Sequence, residues 1–157
     1  MQNKKTYTVE EAKRRLEAYC AYQERCHDDV VKKLRSMHMI PVAVDTVVAH
    51  LIEHGFLNEE RFARSYARGK FNIKKWGKNR IVRELKHRNI SRFNIHLALK
   101  EIPDADYHKT FNELAEKKAG QLTGTNLFKK KQQLANYLLY RGWESDLVYE
   151  KINDLLG

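Results

Sequence analysis

Two prolines and seven glycines in 157 residues leave few places where the chain must break. Collagen-like, low-complexity and glycine-turned β architectures are therefore excluded. Two cysteines, Cys20 and Cys26, are too few for a disulfide framework, and without any CxxC pair they have no zinc spacing. No apolar stretch runs far before a charge interrupts it, so no signal peptide or membrane span is expected. These absences predict a reduced, cytoplasmic protein.

Acidic residues are scarce in one place only. Overall, 30 Lys and Arg stand against 20 Asp and Glu, a net charge of +10. Between Arg61 and Arg92 there are twelve basic residues and a single acid, Glu84, a local charge of +11 that leaves the rest of the chain at −1. With 42% hydrophobic and 10% aromatic residues, the chain has enough apolar surface to form a core.

Apolar residues recur at intervals of three and four throughout, which predicts helices nearly everywhere. They also repeat at longer range. Shifts of 51 and then 53 superpose Val30, Ile81 and Leu134; Leu34, Leu85 and Leu138; Met39, Ile90 and Trp143; Val44, Ile95 and Val148; Val48, Leu99 and Ile152; and Leu51, Ile102 and Leu155. The same shifts align His38, Asn89 and Gly142, residue types that tolerate the left-handed conformation closing a helix. Each copy reads as helix, tight turn, helix, with Pro41 and Ser91 suited to start the second helix.

A further helix precedes each pair. Thr8 and Glu11 form a capping box for the first, and Asn58 before Glu59 and Glu60 opens the second. The third is expected from Asp104, after Pro103. Ala12 and Ala63, Leu16 and Ala67, and Cys20 and Phe71 align at the 51-residue shift, while Ala115 and Ala119 need 52. The expected fold is all-α: three tandem three-helix repeats, residues 1–55, 56–102 and 103–157, in an elongated, curved body whose units bury themselves mainly against their neighbours.

In the central unit, Ile81, Val82 and Leu85 form the apolar stripe of the helix after Gly77. Arg80, Arg83, Lys86 and His87 lie off it, and Lys70, Lys74, Lys75 and Lys78 add charge around the Trp76–Gly77 turn. One positive surface is expected, suited to phosphate or carboxylate. The competing reading is a solvated helical face with local pairs such as Arg80 with Glu84. Trp76 is expected to pack within its unit, with base stacking as the alternative, and Trp143 belongs to a core column. Lys129, Lys130 and Lys131 form a second basic run that either extends this surface or is simply solvated.

Enzyme signals are sparse. His50-Leu51-Ile52-Glu53-His54 spells the HxxEH pattern of some zinc peptidases, with both histidines on one helical face. It stands at a helix end before Gly55, where imidazoles suit the helix dipole, and no third ligand follows. No Walker loop, dinucleotide loop or nucleophile elbow appears. The expectation is a binding protein without cofactor or metal.

"GFLNEERFARSY", Gly55 to Tyr66, followed by "WGKNRIVRELKHRNI", Trp76 to Ile90, resembles the signature of the RecX family, bacterial regulators of the RecA recombinase. "KKLRSMHMI" and "VVAHLIEHGFL" extend the resemblance into the first unit, and "LLYRGW" into the third. Asn58 stands where an acid is commoner in the family, and His38 where glycine is usual.

The resemblance implies tandem three-helix repeats that bind RecA filaments on single-stranded DNA, lodge along the helical groove, and dampen ATP hydrolysis, strand exchange and the co-protease activity of the SOS response. Some members also bind DNA. Arg61, Phe62 and Tyr66 match the family pattern and read as structural links between units. The expected partners are the RecA filament and single-stranded DNA, with duplex DNA a secondary candidate, for a monomer acting in DNA repair and homologous recombination. The expected contacts are Lys70, Lys74, Lys75, Lys78, Arg80, Arg83 and Lys86. The alternative function is an autonomous helix-turn-helix DNA-binding protein.

Overall fold

The computed structural model describes residues 6–157, and among them the secondary structure is entirely helical. The helices are α1 Val9–Tyr22, α2 His27–Ser36, α3 Pro41–Glu53, α4 Glu59–Lys74, α5 Lys78–His87, α6 Arg92–Leu99, α7 Asp104–Gln121, α8 Leu127–Tyr140 and α9 Ser145–Leu156. They group as α1–α3, α4–α6 and α7–α9, three units in series. None is long and apolar enough to cross a membrane.

The expected punctuation is present. Thr8 and Glu11 form a reciprocal capping box, Asn58 accepts from the Arg61 amide, and Ser91 accepts from the Asn94 amide. His38, Asn89 and Gly142 all adopt positive φ (61°, 59° and 92°), so each unit closes its second helix in the same way. Lys75 shares that conformation at φ 59°, ending α4 one residue before the expected Trp76–Gly77 break. A side chain there costs roughly 1 kcal/mol relative to glycine.

Of the eighteen residues in the repeat columns, all but Met39, Leu99 and Leu155 are buried. Each fully buried leucine contributes about 1.5–3 kcal/mol. The principal helix contacts lie within units, α4 on α6 and α1 on α3 foremost. This corrects the expectation that units bury themselves mainly against neighbours: three helices are enough to enclose a small core around Ala12, Ala63 or Ala115, where helices approach closely. The accessible surface, 10088 Å², exceeds the roughly 8,200 Å² of a compact monomer of this mass, as expected of units strung in series.

The two joints differ. The second and third units share one continuous core, with Trp143, 1% exposed, packed at a tilt against Tyr107 and Phe111 at centroid distances of 4.6 and 5.2 Å. The first unit has its own core, built on Leu16, Val30, Leu34, Val47 and Leu51. The segment leaving α3 folds back on that core: the Phe56 and Leu57 amides both donate to the Leu51 carbonyl, and Leu57 is buried. Among the described residues of the first unit, only Cys26 enters the core of the other two.

Candidate functional site

The surface around α5 begins with a helix that lacks its own cap. Gly77 supplies no side chain, so the first amides of α5 need other acceptors. The third unit provides three of them. Gly77 N donates to the Arg141 carbonyl (2.8 Å), Lys78 N to Tyr107 Oη (2.8 Å) and Asn79 N to the Gly142 carbonyl (3.0 Å). Tyr107 in turn donates to Glu144, and burial together with that carboxylate pushes its phenol pKa well above the ordinary range. A turn of one unit thus caps a helix of another, and α5 is held at a set angle to the third unit.

The seven expected contact residues divide into two groups. Lys74, Lys75, Arg83 and Lys86 are exposed, and among the described residues none of them has an ion-pair partner. Lys70, Lys78 and Arg80 are half-buried and engaged. Lys70 Nζ lies 4.9 Å from the Trp76 ring and 5.4 Å from Tyr66, while Lys78 lies 4.6 Å from Tyr107 and 3.8 Å from Asp104.

Arg80 departs furthest from expectation. Its guanidinium lies between Trp76 (4.1 Å) and Tyr140 of α8 (4.8 Å), and Nη1 donates to the Tyr140 carbonyl (3.4 Å). It therefore clamps units two and three together and is no free solvent-facing cation, because the Gly142 turn brings α8 against α5. The local pair with Glu84 does not form either. Glu84 accepts from Arg88 one turn later, at 3.2 Å.

Much of the neighbouring basic charge meets acids from elsewhere in the chain. Arg61 bonds Glu24 of the first unit at 2.6 Å, linking two units as its family position implies. Arg64 reaches Glu60 and Glu101, and Arg68 also reaches Glu101, holding that carboxyl below its usual range. Phe62 is buried and Tyr66 packs on it at 5.6 Å, with Arg88 4.9 Å from the Tyr66 ring. Trp76 is half-buried, packed by Tyr66, Lys70 and Arg80.

The HxxEH histidines serve packing. His50 Nε2 donates to Glu17 Oε2 across α1 and α3 (2.7 Å), and the His54 ring lies 4.4 Å from that of His50. Among the described residues, no three His, Cys, Asp or Glu side chains are grouped to hold a metal.

The sequence patterns of the RecX second and third three-helix domains match residues 58–99 and 105–152. Regulatory protein RecX of Serratia proteamaculans is 32% identical over 114 residues, 73% of this chain and 66% of that protein. Its counterpart in Bacillus cytotoxicus is 25% identical over 151 residues, 95% of this chain but 56% of the relative. The matched regions thus span less than two thirds of these relatives' lengths. A crystal structure of RecX from Lactobacillus salivarius superposes with a TM-score of 0.79 at 24% identity, covering 94% of this chain and 96% of that one. A second RecX crystal structure gives 0.82 at 25% identity, covering 93% and 73%. Two matched domains in order, and a superposition that includes the first unit, place this chain in the RecX family of regulatory proteins.

Proposed function

We propose that this protein binds RecA filaments assembled on single-stranded DNA and restrains them, dampening ATP hydrolysis, strand exchange and co-protease activity. It acts by binding and not by catalysis, as a cytoplasmic monomer with units divided near residues 55 and 102. The observation that carries this reading is the group of unpaired cations Lys74, Lys75, Arg83 and Lys86, displayed on a joint whose two units share a core. Unpaired surface cations gain most from meeting phosphate or carboxylate, since no internal partner has to be given up. Lys70, Lys78 and Arg80 contribute charge to the same surface while holding its shape.

A second reading has some support in α6, whose exposed Arg92, Phe93 and His96 would face a major groove if α5–α6 worked as a helix-turn-helix. It predicts sequence preference on duplex DNA without RecA.

The test is ATP hydrolysis by RecA already assembled on single-stranded DNA, with this protein titrated below one copy per RecA. Inhibition is expected, and the Arg83→Glu/Lys86→Glu double variant should need roughly tenfold more protein for the same effect. Wild-type inhibition by that variant would remove this surface from the mechanism. No inhibition by the wild type, with a footprint on one duplex sequence, would favour the helix-turn-helix reading.

A further inference from the structure

Cations and aromatic rings alternate well beyond the α4–α5 surface. In the first unit, the Arg25 guanidinium lies 3.7 Å from the Tyr19 ring centroid, with Lys33 5.7 Å from the same ring. Tyr22, the last residue of α1, is 83% exposed and 6.0 Å from Arg25. These residues line a shallow basin of about 610 Å³. Arg25 also faces a cleft of about 410 Å³ between the first two units, lined on the second unit by Tyr66, Lys70 and Arg88.

From that cleft the alternation continues through Lys70, Trp76 and Arg80 to Tyr140, the last residue of α8 and 69% exposed. It crosses all three units. Glu24 and Asp29 also line the cleft, but Glu24 accepts from Arg61 and Asp29 from the Cys26 amide (3.1 Å), so both are already engaged.

We infer that this ribbon is a track for single-stranded nucleic acid, with phosphates along its cations and unpaired bases stacked on Tyr22 and Tyr140. The inference rests on the reading of the α4–α5 cations as phosphate contacts and adds the first unit and the two terminal rings. Tyr19 and Trp76 are half-buried with a cation on one face; Tyr140 also meets Arg80 at 4.8 Å and Tyr22 meets Arg25 at 6.0 Å, but at 69% and 83% exposed these end rings are more open to a base. A stacking platform serves unpaired bases of any sequence and is of no use to a duplex, whose bases stack on each other. An acidic protein surface would engage the cations but gain little from exposed rings at both ends.

The test uses the full chain without RecA, measuring fluorescence anisotropy of a labelled oligothymidylate of about 20 nucleotides. Tyr22→Ala and Tyr140→Ala should each weaken binding about fivefold or more. Neither should change affinity for a duplex of the same length, or the slope of log affinity against log salt, because no phosphate contact is lost. Unchanged single-strand binding in both variants overturns the track, as does an equal loss on duplex. A matching loss of polyglutamate binding would overturn it in favour of an acidic protein surface. If the wild type binds no oligonucleotide at low salt, the track is likewise wrong, while the filament reading still stands or falls on RecA ATP hydrolysis.

Discussion

The backbone of Gly142 lies directly against Arg80, so closely that a β-carbon on Gly142 would collide with the Arg80 β-carbon and backbone. Gly142 also holds a positive φ, and its carbonyl caps α5. Gly142→Ala is therefore expected to destabilise the protein by at least about 2 kcal/mol. Gly120→Ala, in a helix with open space around it, should stabilise by about 0.5–1 kcal/mol. Thermal unfolding of both variants checks the contrast.

Arg80 and Arg83 should separate in behaviour although they are three residues apart. Arg80→Ala removes a clamp on two rings and should lower stability by about 1–2 kcal/mol. Arg83→Ala should leave stability within about 0.5 kcal/mol, since the side chain is exposed and unpaired. Urea unfolding of the two variants distinguishes a joint residue from a surface cation.

Acid should loosen the tie between α1 and α3. Glu17 is held below its ordinary value of 4.5, first by the His50 hydrogen bond and then by Arg14. A carboxyl with a lowered folded pKa contributes stability that is present above its unfolded value and lost as pH falls through the folded one. Stability of the wild type should therefore decline below about pH 4.5 more steeply than that of Glu17→Gln. Parallel slopes for the two proteins would show that this carboxylate adds nothing.

Cys26 reports on the joint between the first and second units. It is fully buried, and burial pushes its thiol pKa up to about 11, so labelling at neutral pH requires the joint to open. Arg61→Ala, which cuts the bond to Glu24, should speed modification of Cys26 more than that of Cys20, which sits inside the first unit's own core. Peptide mapping after timed thiol labelling gives both rates. Equal acceleration at the two cysteines would mean that the first unit unfolds as a whole.

Helix order, turn positions and core columns were readable from residues such as Asn58, Ser91, Leu85 and Gly142. Caps act on amides two or three residues away, and the buried stripe of a helix is a pattern over a few turns. The candidate site was only half readable. The count of twelve basic residues against one acid from Arg61 to Arg92 overstated the free charge, because Glu24, Glu60 and Glu101 lie outside that window and fold onto it. Tyr19 and Tyr140 escaped notice for the related reason that Lys33 and Arg80 reach them from another helix or another unit.

Local spacing was thus enough to specify three helical units and the turns that close them, since those interactions span only a few residues. Which cations remained unpaired, and that Arg80 became a clamp between units, depended on contacts between residues as far apart as Arg80 and Tyr140. Charge pairing and ring stacking act through space, and the docking of the Gly142 turn on α5 is what brings those partners within reach.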